Sequence, residues 1–164
     1  MRLFLCLCLL LLTLQPATAE NLRGKVTWIY DGDTLKVAGV GKVRLIGIDA
    51  PEHADSDRDR FYRRWNIPPA RLRKIAAAGK RFQIRTVKGK VVRLQFDRER
   101  KDKYGRTLAY VILPDGRMLN RLLLKKGYAT VFRRYDFKFK DDFLKIEKKA
   151  RKQQVGLWKR PQSG

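Results

Sequence analysis

Three short runs rich in Val, Ile, Leu and Thr follow one another near the start of the chain, Lys25 to Tyr30, Thr34 to Val37 and Lys42 to Ile48. Only tight turns separate them. Asp31-Gly32 fills the first interval and Gly39-Val40-Gly41 the second, and such residues accept hairpin geometry. Runs of this length and composition are strands, and together they make a three-stranded meander. Asp49-Ala50-Pro51-Glu52 then ends the pattern, because proline cannot continue a central strand.

The rest of the chain must complete what the meander begins. His53 to Pro69 is polar and charged, closes on Pro68-Pro69, and reads as a long surface loop beside that turn. From Ala70 the Ala-rich run ARLRKIAAAGKRF predicts a helix begun after proline and carried to about Thr86. Phe82, Ile84 and Val91 also fit a period of two, so a strand stays open there. Lys88-Gly89-Lys90 turns into a strand from Val91 to Phe96, and after Asp97 to Arg106 another runs from Thr107 to Leu113. Met118, Leu119, Leu122 and Leu123 recur at helical spacing until Gly127 stops them. Tyr128 to Lys138 is irregular, aromatic and basic. Phe143, Leu144, Ile146 and Ala150 then form the apolar stripe of a third helix, Asp141 to Gln154. Gly156-Leu157-Trp158 is expected to cap that helix and anchor in the core, and Lys159 to Gly164 to form a disordered tail. Five strands interrupted by one helix and followed by two more indicate an α+β fold, a small closed five-stranded barrel of the OB type with three helices.

The meander gathers acidic groups. Asp33 follows the Asp31-Gly32 turn, Asp49 ends the third strand, and both carboxylates can reach one rim. Glu52 comes three residues later behind Pro51, whose fixed φ holds it in place. His53 is the single histidine and is assigned no catalytic role, and Cys6 and Cys8 lie at the far N-terminus. The available metal donors are therefore oxygens, which suit Ca2+ or Mg2+ rather than zinc or copper. Glu52 is placed to act as a base on a neighbouring water. Arg44 alternates with Val43 and Leu45 and so faces away from them, while Arg106 stands where the strand after Tyr104-Gly105 begins. Two arginines can clamp a phosphate and hold the added charge of its pentavalent transition state. Each group also has a plainer reading: a hairpin turn with a solvated Asp33, a surface glutamate, and solvated strand arginines.

Charge names the partner class. Lys and Arg number 39 against 16 Asp and Glu, a formal net charge of +23, which is the balance of a polyanion binder. Nucleic acid, anionic lipid or wall polymer would answer to it; no stretch after the first residues looks membrane-seeking, which favours nucleic acid. Met1 to Ala19 reads as a cleaved export signal, with Arg2 as a minimal n-region, apolar sequence from Leu3 to Leu14 and small residues at Ala17-Thr18-Ala19. The expected product is secreted or periplasmic, free of cysteine and of the membrane, and monomeric.

The motifs DGDT, RLIGIDAPE and DKYGRTLAYV, with GRMLNRLLLKKGYA and a terminal GLW, resemble the staphylococcal-nuclease-like, or thermonuclease, family, in order and over essentially the whole chain after the signal. The resemblance implies Asp33 and Asp49 as calcium ligands, with a backbone carbonyl at Ala50 as a third. The archetype has threonine there, and since a main-chain oxygen binds, the exchange should cost little. It implies Glu52 as general base or water-positioning group and Arg44 and Arg106 as phosphate clamps. Tyr104 matches a tyrosine of the nucleotide pocket. Arg133 stands where another tyrosine is expected, leaving Tyr135 as the remaining pocket aromatic, so base stacking is altered while phosphate contacts gain a charge. DSDRDRFYRRWN, in the loop from His53 to Pro69, departs from the family's composition; it is either an added strand-binding flap or a solvated loop.

The resulting expectation is an exported, Ca2+-dependent phosphodiesterase that cuts DNA and RNA with little sequence preference, breaking the 5′ P–O bond and leaving 3′-phosphates. The alternative is a non-catalytic nucleic-acid-binding barrel of the OB type. An acid cluster that repels such a ligand speaks against it.

Overall fold

Alternation along the first strands decides which face turns inward. Val26, Ile29, Leu35, Val37, Val43 and Leu45 are buried, whereas Lys36 and Lys42 between them are exposed. A computed structural model describes residues 22–160, so the export signal falls outside the described residues, as does the end of the tail. In it β1 (Leu22–Ile29), β2 (Thr34–Val37) and β3 (Gly41–Leu45) form the expected antiparallel meander. β5 (Val91–Gln95) pairs with β1 and with β6 (Thr107–Ile112), and β6 closes the ring by running parallel to β3. The order is β1-β2-β3-β6-β5, a closed barrel, as the sequence leads one to expect. Closure leaves no long free edge, and alternating residues from every strand fill the interior.

Helix α1 (Pro69–Val87) confirms the helical reading of the Ala-rich run, with proline in its first turn. Helices α2 (Leu119–Lys125) and α3 (Lys140–Lys152) pack on each other and extend the core through Leu119, Leu123 and Phe143. Buried Asn120 joins three parts: its amide nitrogen donates to Ile46 O at 2.8 Å, and its Oδ1 accepts from Val111 N at 3.1 Å.

Three expectations need correction. Lys42 to Ile48 is not one strand: Gly47 adopts φ +76° against the Phe137 ring, where a Cβ would come within 2.5 Å of a ring carbon. That left-handed backbone breaks the ladder. The chain leaves the barrel there as β4 (Ile48–Asp49), pairing with β7 (Thr130–Val131), so the segment Tyr128 to Lys138 is not wholly irregular. His53 to Pro69 is not a loop throughout, since Asp57–Trp65 forms a 3₁₀ helix. Ser56 accepts from Arg58 N at its start, Asp57 and Asp59 lie in the first turn and Arg63 and Arg64 in the last, an order that complements the helix dipole. Tyr62 pins it, joining Ile67, Leu72 and Leu157 in a second apolar cluster where Trp65 and Trp158 meet edge to face at 5.1 Å. The terminal Gly156–Trp158 turn anchors there.

Buried Tyr110 on β6 tests how such polar fastenings contribute. Its hydroxyl donates to Asp97 Oδ2 at 2.5 Å, and the same oxygen accepts from Lys138 N at 2.8 Å. Partial burial opposes ionisation of Asp97, but the bonds from Tyr110, Lys138 and Arg98 outweigh it and hold the carboxyl below its usual range. A depressed pKa stabilises the fold above the unfolded value, and this contribution is lost as pH falls through the folded value. Tyr110→Phe is expected to cost about 1.5–3 kcal/mol at neutral pH, the range for a bond to a charged acceptor. Urea melts should show the gap to the parent protein narrowing as Asp97 protonates, and a gap constant down to pH 3 would contradict this reading.

Candidate active site

The Asp31-Gly32-Asp33 turn is built by its own side chains. Asp31 Oδ1 accepts from Asp33 N at 2.9 Å, the local bond that makes aspartate a turn residue. Helix α1 holds the turn from behind: Lys80 Nζ donates to Tyr30 O at 3.0 Å and Gln83 Nε2 to Asp31 O at 2.9 Å. Gly32 lies against Ala50, and a Cβ at Gly32 would stand 2.4 Å from that of Ala50. Any side chain there would push the β2 turn away from the β4 segment. With glycine the two close together, and Ala50 N donates to Asp33 Oδ2 at 2.9 Å.

That closure brings Asp33 and Asp49 to one place. Both are 7% exposed, and Arg44 of β3 joins them, its Nη1 paired with Asp33 Oδ1 and its Nη2 3.1 Å from Asp49 Oδ1. Asp49 is steadied by β7, since its carbonyl accepts from Thr130 Oγ1 at 3.3 Å. Arg58, projecting from the 3₁₀ helix, pairs with Asp49 Oδ1 and stands 3.5 Å from Glu52 Oε1. Glu52 keeps 37% of its side chain exposed, so this carboxylate faces solvent at the mouth while the two aspartates lie beneath it.

The electrostatics show that the cluster favours positive charge. Burial, then the nearby charge of Asp33, raises Asp31 to about 6. Burial and Asp33 also push Asp49 up, against the pull of Arg44 and Arg58. Burial would lower Arg44, yet Asp33, Asp49 and Asp31 outweigh it and strengthen its hold on its proton. Crowded carboxylates that resist ionisation are stabilised by an added cation. Among the described residues no group of three or more His, Cys, Asp and Glu side chains forms a metal cage. Asp33 and Asp49 supply two carboxylates. A hard ion that completes its shell with carbonyl, water and substrate oxygens needs no more.

The other expected site residues are placed as follows. Arg106 immediately precedes β6, with its Nε 2.7 Å from Asp102 Oδ2, and its backbone N donates to Asp102 Oδ1 at 3.0 Å. Its guanidinium lies 5.5 Å from the Tyr104 ring centre. Tyr104 and Tyr135 are both exposed, Tyr135 packing on Phe132. The guanidinium of Arg133 bonds to Glu147 and to Val131 O. Asp33, Asp49, Ala50 and Arg44 thus meet directly, and Glu52 is joined to them through Arg58, whereas Arg106 and Arg133 have carboxylate partners of their own. Sequence reasoning missed Arg58, one of four arginines in a run with nothing to mark it, and Asp31, read only as a turn.

Comparison with known proteins gives one family. A family model described as staphylococcal nuclease homologue matches residues 42–160. A thermonuclease of Staphylococcus intermedius is 35% identical over 150 residues, covering 87% of this chain and 82% of the relative. An uncharacterized protein of Methanocaldococcus jannaschii is 39% identical over 153 residues, covering 86% of this chain and 73% of the relative. An uncharacterized endonuclease of Escherichia coli O157:H7 is 32% identical over 147 residues, covering 87% and 81%.

Proposed function

This chain belongs to the staphylococcal nuclease homologue family, and on that footing we propose that it is an exported, Ca2+-dependent endonuclease, acting as a monomer on both DNA and RNA. One observation carries the reading: two buried aspartates, Asp33 in the turn before β2 and Asp49 on β4, share a guanidinium beneath a solvent-facing glutamate. A protein that only bound polyanions would gain nothing from buried acids at its contact surface.

Asp33 and Asp49, with the carbonyl of Ala50, would hold the calcium ion. When bound, it would offset negative charge on the phosphate and lower the cost of keeping these carboxylates ionised. Glu52, at the mouth, accepts the proton of an attacking water. The water oxygen bonds to phosphorus as the bond to the 5′ oxygen breaks; that oxygen leaves with a proton, and the phosphate remains on the 3′ side. Arg44 presents N–H groups beyond those given to the aspartates. Arg106, fixed by Asp102, supplies a second guanidinium, and together they hold the charge that grows on the equatorial oxygens. Arg58 keeps Glu52 and Asp49 in a set relation. Tyr104 and Tyr135 offer exposed rings for bases.

Mass analysis of the products from DNA and RNA oligonucleotides digested with Ca2+ tests the proposal. Fragments ending in 3′-phosphates from both are expected. Products ending in 3′-hydroxyls would reverse the assignment of the broken bond, and intact RNA beside cut DNA would remove RNA from the substrates.

A further inference from the structure

A row of outward side chains crosses the barrel at right angles to its strands. Trp28 of β1 pairs with Lys36 of β2, and Lys36 pairs with Lys42 of β3. Val43 pairs with Thr107 in the parallel β3–β6 ladder, and the residues before them, Lys42 and Arg106, lie toward the same end of the two strands. The row therefore ends at one of the proposed phosphate clamps. Lys42 also shares a face of β3 with Arg44, one pleat repeat away.

Trp28 is out of place by ordinary patterning. Val26 and Ile29 are buried, and simple alternation from Val26 would turn Trp28 inward. The register shift between Val26 and Trp28 reverses it, as a bulge re-aims a side chain. The indole is left 50% exposed with Lys88 Nζ 5.1 Å from its centre. Lys42 Nζ lies 5.0 Å over Tyr30. Among the described residues none of Lys36, Lys42 and Lys88 forms an ion pair. A half-exposed indole and a partly exposed phenol, each with an unneutralised ammonium group beside its ring, match a chain of phosphates carrying free bases.

The geometry points to this row as a track for single-stranded nucleic acid, which carries the substrate from the scissile position at Arg106 around the barrel to a base stacked on Trp28. The inference rests on the nuclease reading for its direction. Three strand spacings, roughly 14 Å, separate β6 from β1, enough for more than one nucleotide beyond the cut. Single strands are selected because a paired base has no free face for the indole, whereas an unpaired one does.

Fluorescence anisotropy in EDTA, where cutting is not the readout, tests the track. The probes are labelled oligothymidylate about 12 nucleotides long, within the span an OB barrel covers, a thymidine dinucleotide and a duplex of the longer length. Trp28→Ala is expected to weaken the long single strand roughly tenfold and the dinucleotide less than about twofold. Lys36→Gln with Lys42→Gln, exposed positions that leave the core intact, should flatten the log–log salt dependence by roughly 1.4. Unchanged binding of the long strand by both variants, equal losses for dinucleotide and long strand, or an equal loss for the duplex would overturn it. Cleavage of the same strand by the parent protein in Ca2+ is scored separately. Cutting without the length-selective loss sinks the track alone, and the loss without cutting sinks the nuclease reading alone.

Discussion

Glu52→Gln is expected to slow phosphodiester cleavage by about a hundredfold or more, the contribution of a positioned general base. Glutamine has nearly the same shape and can still accept from Arg58, so the geometry around Asp49 is retained. What it cannot do at neutral pH is take a proton from water. Because the Glu52 side chain is over a third exposed, the exchange should leave the unfolding midpoint nearly unmoved, within about 0.5 kcal/mol. Initial rates on a single-stranded substrate, measured beside a thermal melt, separate loss of chemistry from loss of fold. A rate within tenfold of the parent protein would remove Glu52 from proton transfer.

The second large effect is on stability. Glu147 of α3 is 1% exposed; its Oε1 accepts from Val131 N at 2.9 Å and Arg133 Nη1 at 3.2 Å, and its Oε2 meets Arg133 Nη2 and, at 3.1 Å, Arg151 Nη2. Glu147→Leu strands a buried N–H and leaves two guanidinium groups without their carboxylate. Removing one partner of a buried pair costs about 3 kcal/mol, at the low end of the usual range because both arginines are 35% exposed and remain partly solvated. The unfolding midpoint should fall by roughly 6–12 °C. Since Val131 lies on β7 and β7 steadies Asp49, cleavage should weaken as well. An unmoved midpoint would mean that these groups contribute no net stability.

The barrel was legible because its signals are local. Period-two burial and the Asp31-Gly32 and Gly39-Val40-Gly41 turns mark three strands, and an Ala-rich run after proline marks α1. What escaped depends on contacts distant in sequence. Gly47 looks like one more residue of an apolar run until the Phe137 ring is seen to fill the space of its side chain. β4 and β7 are two residues each and exist only through one another. The 3₁₀ helix hid in a polar, arginine-rich segment, because Tyr62 fastens it in a cluster with Leu72 and with Leu157, the latter far along the chain. The candidate site divides the same way. Asp33, Asp49, Glu52 and Arg44 could be named from motifs; the structure joins Asp33, Asp49 and Arg44 directly and Glu52 through Arg58. Arg58 carries no mark that distinguishes it from its neighbours, and the partnership of Arg133 with Glu147 joins two residues on separate elements that no spacing rule connects.

The proposed function rests on the paired aspartates acting through a divalent ion. Supercoiled plasmid incubated with the parent protein in Ca2+, in excess EDTA, and in EDTA followed by restored Ca2+, with Asp33→Ala alongside, measures this directly. Cutting is expected with Ca2+, none with EDTA, recovery when the ion returns and at least about a hundredfold loss in the variant. Equal cutting in EDTA, or an Asp33→Ala protein as active as its parent, would contradict the proposed function.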